Sequence, residues 1–237
     1  MVIGGLQKLS LQDYPDHLAA IIFTSGCNFR CHFCYNPQLV VPNCDGAVNL
    51  KGHSSISEDG LFGFLRARAG KLEAVVITGG EPTIQPNLPE FIKKIKNLGY
   101  LVKLDTNGTN PEMLKSLLAN KLLDYLAMDI KASLPKYKRV VGRAVSLSNI
   151  KKSIKMIIEG NIPYEFRTTV VPIFHKQGDI KKMGELIKGA DKWYLQKFQS
   201  NIGLVDNSFQ DVKLYTDKEM KKLRQVASRY VKFCGVR

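Results

Sequence analysis

The stretch SGCNFRCHFCYNP, residues 25–37, places three cysteines within eight positions and directly follows the apolar run LAAIIFT (18–24). Cys27, Cys31 and Cys34 are spaced C-x3-C-x2-C, which is compact enough for one metal centre. The set is one thiolate short of the four ligands that zinc or an iron-sulfur cube normally takes. We therefore expect a strand followed by a metal-binding loop whose remaining ligand comes from elsewhere.

Short β-rich runs alternate with amphipathic helical stretches along the rest of the chain, which is typical of repeated βα units. Five further strands are predicted, at LEAVVIT (72–78), YLVKLDT (100–106), LDYLAMDI (123–130), YEFRTTVV (164–171) and KWYLQKF (192–198). Apolar residues at helical spacing from Leu88 to Leu98 predict a helix that ends at Gly99. Thr216 with Glu219 forms a capping box that predicts the start of a last helix.

Six βα units at this spacing use nearly all of residues 18–232, whereas a complete eight-unit barrel needs about 250 residues. The sequence therefore predicts an α/β fold, an incomplete, splayed parallel (β/α)6 barrel, in a single domain over residues 1–237. In such folds the functional groups follow the carboxyl ends of the strands. The cysteine loop, GGEPT, DTNG and DIK each follow one of the first four predicted strands, so we expect these clusters at one edge of the barrel.

Composition narrows the possible classes of protein. A hydrophobic fraction of 44% is enough for a large core, and neither a signal peptide nor an apolar run of about 20 residues is visible. We therefore expect a cytoplasmic protein with no membrane partner, in which clustered thiols bind metal rather than form disulfides. The net charge of +14 comes mainly from lysines spread along helical faces, as in FIKKIKNL, which favours a solvated surface. An acidic protein partner remains an alternative, and nucleic acid a weaker one.

The cysteine spacing, with Phe33 just before the last cysteine, and the GGEP turn after the next strand together resemble the radical S-adenosylmethionine (radical SAM) enzymes. The resemblance implies one 4Fe-4S cluster per chain, held by Cys27, Cys31 and Cys34, with the fourth iron open to S-adenosylmethionine. It also implies that an external electron donor, such as flavodoxin or ferredoxin, starts cleavage of the cofactor. The resulting 5′-deoxyadenosyl radical then takes a hydrogen atom from the substrate, so no protein residue is predicted to be catalytic.

A structural zinc site completed by His32 or Cys44 is the alternative for the three cysteines. Cys44 and Cys234 show no metal-like spacing and receive no predicted role. The polar stretch from Pro42 to Ser57 is predicted to be a mobile surface loop, and a role in docking a partner is a hypothesis.

The resemblance also predicts which residues contact the cofactor. Gly79 and Gly80 would let its methionine part approach the backbone, although a tight turn alone would also need glycines. Glu81 would accept a hydrogen bond from the ammonium group of the cofactor. The full predicted set is Phe33, Asn36, Gly79, Gly80, Glu81, Asp105, Thr106, Asn107, Asp129, Lys131 and Arg167.

Three members of this set are charged and could form structural ion pairs instead of contacting the cofactor. Alternation along a strand end points Asp129 and Lys131 to one side, where Lys131 can pair with the cofactor carboxylate. A simple ion pair between these two residues is the alternative. Arg167, on the fifth predicted strand, is equally compatible with a cofactor contact and a structural salt bridge.

Residues 5–37 read most like activating enzymes of anaerobic ribonucleoside-triphosphate reductase, and LDTNG, DYLAMDIKA and RTTVVP resemble glycyl-radical activating enzymes more widely. The resemblance covers residues 5 to about 198 and implies that the radical takes hydrogen from one glycine of a large partner enzyme. Many pyruvate formate-lyase activating enzymes carry a histidine after the sixth strand, and YLQKFQS lacks it. This difference argues against pyruvate formate-lyase as the partner. The alternatives are a small-molecule radical SAM enzyme resembling 7-carboxy-7-deazaguanine synthase and a metal-stabilised binding module without catalysis.

Overall fold

The computed structural model describes residues 1–40, 56–200 and 203–237. Its strands are β1 (Ile3–Ser10), β2 (Ala19–Thr24), β3 (Ala74–Gly79), β4 (Leu101–Thr106), β5 (Tyr125–Asp129), β6 (Tyr164–Val170), β7 (Lys192–Lys197) and β8 (Phe233–Val236). Its helices are α1 (Pro37–Val40), α2 (Glu58–Arg68), α3 (Leu88–Lys96), α4 (Pro111–Ala119), α5 (Tyr137–Val141), α6 (Leu147–Ile158), α7 (Gln177–Leu186) and α8 (Asp217–Ala227). Cys44 and nearly all of the predicted loop over 42–57 lie outside the described residues.

The six predicted strands are confirmed as β2 to β7, each within two residues of the expected ends. The strands follow one another in chain order from β1 to β8. In the described part of the chain this sheet is open, with β1 at one end of the order and β8 at the other. The predicted α/β class, an incomplete parallel barrel, is therefore confirmed.

Two strands were not predicted, and both lie at an end of this order. β1 contains two adjacent glycines and few β-branched residues, and it pairs antiparallel to β2. β8 has only four residues and pairs in parallel with β7. Pairing with a neighbouring strand stabilises both segments, and a local pattern does not reveal it.

The chain divides into two compact units, and the first comprises residues 1–28, 38–106 and 112–126. Within it β2 and β3 run parallel over their full length, from Ala19 opposite Ala74 to Thr24 opposite Gly79. One apolar cluster in this unit consists of Tyr14, Ala19, Ile21, Ala74, Val76 and Tyr125. The helix predicted after Asn87 is α3, and Gly99 beyond it has a φ of +86°, which suits the expected left-handed end.

The second unit comprises residues 29–37, 107–111 and 127–237. Its strands β6, β7 and β8 are parallel neighbours, with Thr168 opposite Leu195. The capping box of Thr216 and Glu219 is present at the start of α8, so this prediction is confirmed. Assignment of all 237 residues to a single domain stays a prediction. Among the described residues, none of the helices has the length and apolar character needed to cross a membrane.

Candidate functional site

The GGE turn at the end of β3 packs directly on the segment that leads into the cysteine loop. Gly80 N–H donates to Thr24 O at 2.8 Å, and Glu81 N–H donates to Gly26 O at 2.9 Å. A Cβ added at Gly80 would lie 2.0 Å from Gly26 O. At Gly79, which has a φ of +107°, it would lie 2.5 Å from Thr24 N. Both glycines are thus required by the close approach of the chain to itself.

Glu81 is buried, with 1% of its surface exposed, and its carboxylate is fixed by neighbouring hydroxyls. Its Oε1 accepts from Thr83 N–H at 3.1 Å and from Thr106 Oγ1 at 2.7 Å. Asp105 lies one residue before Thr106 on β4, and one of its oxygens lies 3.4 Å from Lys103 Nζ. The first unit therefore brings together Glu81 and Thr106 by direct contact, with Asp105 paired to a buried lysine.

The second half of the cysteine loop belongs to the second unit. Cys31 is buried, Cys34 is half-buried, and Phe33 between them has only 3% of its surface exposed. The ring of Phe33 packs against Phe174, with centroids 6.2 Å apart, and against Phe198 at 6.4 Å. Phe33 therefore anchors the loop through its ring.

The other two residues predicted in the cysteine loop are partly exposed. Asn36 is half-buried and immediately precedes α1. Cys27, in the first unit, is also half-buried. Among the residues that the structure describes, no three His, Cys, Asp or Glu side chains are placed to hold a single metal ion.

Asn107 forms a turn in the second unit. Its Oδ1 accepts from Thr109 N–H at 3.0 Å and from Thr109 Oγ1 at 2.7 Å. Gly108, with a φ of +76°, allows this turn, and Ser153 Oγ on α6 donates to Gly108 O at 2.8 Å. The side-chain oxygen of Asn107 thus shapes the backbone of the DTNG segment.

Asp129 at the end of β5 lies between two cations. Lys131 Nζ donates to Asp129 Oδ2 at 2.9 Å, and Arg167 Nε donates to Asp129 Oδ1 at 3.0 Å. The three side chains are 14–24% exposed. Alternation at the strand end therefore does bring Asp129 and Lys131 together, and the ion pair considered as an alternative is present. Arg167 also makes a salt bridge.

The electrostatics of this triad favour full charge on all three groups. Burial works against ionisation of Asp129, but Arg167 and Lys131 outweigh it and lower the pKa of Asp129 to about 2. Burial also opposes the charge of Lys131, yet Asp129, Cys31 and Cys34 raise its pKa above the usual value. The Lys131 ammonium is thus coupled electrostatically to two thiols of the cysteine loop.

Sequence reasoning missed the residues that hold the backbone of Lys131. Val171 N–H donates to His175 Nδ1 at 2.9 Å, so His175 Nε2 carries the proton and donates to Lys131 O at 2.8 Å. Lys131 N–H in turn donates to the Tyr137 hydroxyl at 3.4 Å. Burial lowers the pKa of His175 to about 4, which keeps its ring neutral. A lone histidine in VVPIFHKQ carries no motif, so only the fold reveals this role.

Comparison with known proteins places the chain in a family. The model of the radical SAM superfamily matches residues 21–187, which is more than half of the chain. The chain therefore belongs to the radical SAM superfamily.

Individual relatives differ in how much of the chain they match. A protein of Methanocaldococcus jannaschii named "Putative glycyl-radical enzyme activating enzyme" is 33% identical over 97% of this chain and 93% of its own length. The 7-carboxy-7-deazaguanine synthase of Neisseria meningitidis is 32% identical over 55% of this chain and 52% of its own. A domain of pyruvate-formate lyase-activating enzyme from Bacteroides vulgatus has a similar fold, with a TM-score of 0.56 and 17% identity over 70% of this chain and 99% of that one.

Proposed function

We propose that this chain is an activating enzyme that generates a glycyl radical on a partner protein, and that the partner is an anaerobic ribonucleoside-triphosphate reductase. One observation carries the first part: the similarity to the archaeal relative named as an activating enzyme extends over 97% of this chain and 93% of that protein. The choice of partner rests on the resemblance of residues 5–37 to activating enzymes of anaerobic ribonucleoside-triphosphate reductase. A cytoplasmic location belongs to the same proposal.

The donor set suits an iron-sulfur cluster held by Cys27, Cys31 and Cys34. Iron-sulfur clusters are bound by thiolates, and a fixed cation nearby offsets their negative charge. Lys131 would supply such a cation, because the raised pKa of Lys131, due first to Asp129 and also to Cys31 and Cys34, keeps its ammonium charged. When bound, the 4Fe-4S cluster would supply the electron for reductive cleavage of S-adenosylmethionine.

The residues of this chain would bind and orient S-adenosylmethionine rather than transfer protons. Lys131 keeps its ammonium charged at neutral pH and is held in place by Asp129, so it can pair with an anionic carboxylate. Arg167 balances the charge of Asp129. Glu81 offers a buried carboxylate for a cationic amine.

We assign the remaining cofactor contacts to the other residues predicted from the sequence. They are Phe33, Asn36, Gly79, Gly80, Asp105, Thr106 and Asn107. The electron donor would be flavodoxin or ferredoxin.

The test is anaerobic and compares two cysteine variants. The protein is reconstituted with iron and sulfide, reduced with dithionite and mixed with S-adenosylmethionine, and 5′-deoxyadenosine is measured with and without an anaerobic ribonucleotide reductase. Cys31→Ser should abolish cluster uptake and product. Cys234→Ser, which changes a buried cysteine of β8 outside the loop, should leave both intact. Equal product from Cys31→Ser and the unsubstituted protein would refute the cluster assignment.

A second candidate is a small-molecule radical SAM enzyme of the 7-carboxy-7-deazaguanine synthase type. It is favoured by the 32% identity to the Neisseria enzyme, which covers 55% of this chain. Turnover of a small pterin without any protein substrate would establish this candidate in place of the activating enzyme. Failure to cleave S-adenosylmethionine under any reducing condition would favour the binding module without catalysis.

A further inference from the structure

A segment of the second unit, Leu204–Phe209, lies along the cysteine loop and is bonded to its main chain. Val205 N–H donates to Cys34 O at 3.2 Å, and Asp206 N–H donates to His32 O at 3.0 Å. These two carbonyls belong to the part of the loop that lies between β2 and α1. The segment therefore supplies backbone donors to a loop that has no strand or helix of its own there.

Side chains add a second connection between the same two stretches. His32 Nδ1 lies 3.1 Å from Asp206 Oδ2. The His32 ring stacks on the Phe209 ring, with centroids 5.5 Å apart and planes inclined by 5°. Phe209 also packs against Phe174, at 5.5 Å. His32 is thus held by both a hydrogen bond and a ring contact.

Asp206 joins this contact to a local turn. Its other oxygen, Oδ1, accepts from Ser208 N–H at 3.0 Å and from Ser208 Oγ at 2.7 Å, which caps the 3-10 turn Asn207–Phe209. One carboxylate therefore fixes both the turn that carries Phe209 and the His32 ring. Loss of this carboxylate should loosen both sides of the contact.

His32 lies between Cys31 and Cys34 in sequence, and the carbonyls of His32 and Cys34 accept from Asp206 N–H and Val205 N–H, so these bonds limit the movement of the backbone that carries both cysteines. We propose that Leu204–Phe209 is a clamp that positions Cys31 and Cys34, with His32 and Asp206 as its positioning residues. The clamp determines how long the loop retains its cluster. This inference rests on the proposed role of these cysteines as cluster ligands.

The test uses two clamp variants and one matched control. Asp206→Ala removes the carboxylate, whereas His32→Phe retains an aromatic ring that can stack on Phe209 and removes only the hydrogen bond. The control, Asp191→Ala, removes another exposed carboxylate that pairs with a cation, Lys232, at 2.8 Å.

The first measurement is amide hydrogen exchange in the protein without its cluster, followed in the peptides that contain residues 30–36 and 204–210. His32→Phe should exchange about three to ten times faster there, as expected for loss of one net hydrogen bond. Asp206→Ala should exchange at least as fast, because it also loses the bonds to Ser208. The control should match the unsubstituted protein. Exchange in either clamp variant within twofold of the control would overturn the positioning role.

The second measurement is the rate of iron release to a chelator from anaerobically reconstituted protein. Release should be about three to ten times faster in His32→Phe than in the control, and at least as fast in Asp206→Ala. Faster exchange with unchanged iron release would overturn the claim that the clamp determines cluster retention. If the unsubstituted protein takes up no cluster, the proposed function fails, and so does the claim that the clamp determines cluster retention. The positioning role is then still decided by the hydrogen-exchange measurement.

Discussion

Substitution of Gly80 by alanine tests the close contact between the GGE turn and the start of the cysteine loop. The new Cβ would lie 2.0 Å from Gly26 O and 2.6 Å from Gly26 C, so the two backbones must move apart by roughly 1 Å or more to reach ordinary contact. That movement would lengthen the bonds from Gly80 N–H to Thr24 O (2.8 Å) and from Glu81 N–H to Gly26 O (2.9 Å).

The expected loss of stability combines both effects. Overpacking costs about 1–3 kcal/mol and each weakened hydrogen bond about 1 kcal/mol, so Gly80→Ala should lower the free energy of unfolding by about 3–5 kcal/mol. The assay is urea unfolding of the protein without its cluster. Gly63→Ala is the matched control, because nothing lies within 4 Å of its added Cβ in α2. The control should be unchanged or stabilised by up to about 1 kcal/mol.

A loss below about 1 kcal/mol for Gly80→Ala would refute the reasoning, because the contact would then yield at little cost. A loss of similar size in Gly63→Ala would also refute it, since the effect would then belong to any added methyl group.

Three further predictions concern two titratable residues and one capping residue. Asp129→Ala leaves Lys131 and Arg167 without their shared carboxylate and should cost about 2–4 kcal/mol, measured by urea unfolding at neutral pH; a loss near zero would contradict the triad. Because the pKa of Asp129 in the folded protein is about 2, its contribution should be present above about pH 4 and disappear as the pH falls towards 2. In NMR spectra of the folded protein, His175 should titrate near pH 4, and a midpoint near pH 6.5 would contradict this prediction. Because the His175 ring of the unfolded chain takes up a proton near pH 6.5, the free energy of unfolding should decline as the pH falls from 6.5 to 4. Thr216→Ala should cost about 1 kcal/mol by loss of the α8 cap, whereas Thr216→Ser should cost little in the same unfolding assay.

The fold was largely predictable because its main signals are local. Each of the strands β2 to β7 is a short apolar or β-branched run, so all six could be inferred from the sequence. β1 escaped prediction because its stability comes from pairing with β2 across a register that no local pattern encodes.

The residues assigned to the candidate site stay predictions, and the contacts that support them could not be inferred from the sequence. Spacing alone placed Asp129 and Lys131 on one side of a strand end. The contacts of His175 with Val171 and Lys131, and of His32 with Asp206, join residues that are far apart in sequence or carry no motif. Such contacts depend on tertiary packing, which one sequence read locally does not specify.

The two glycines of the GGE turn show a different limit. Sequence reasoning offered approach of a cofactor or a tight turn as the reason for Gly79 and Gly80. The structure adds a third reason, because the backbone of residues 24–26 occupies the space that a Cβ would need. A pattern of glycines reveals that something approaches the backbone closely, but it does not reveal what approaches.

The most direct test of the proposed function is an electron paramagnetic resonance spectrum of the partner. The reconstituted protein and S-adenosylmethionine are mixed anaerobically with an anaerobic ribonucleoside-triphosphate reductase whose glycines carry ¹³C at the α-carbon, alongside the same reductase without label. A glycyl-radical doublet that appears only when all components are present, and that the label splits further, is the predicted result. Cleavage of S-adenosylmethionine with no such doublet in the reductase would contradict the account.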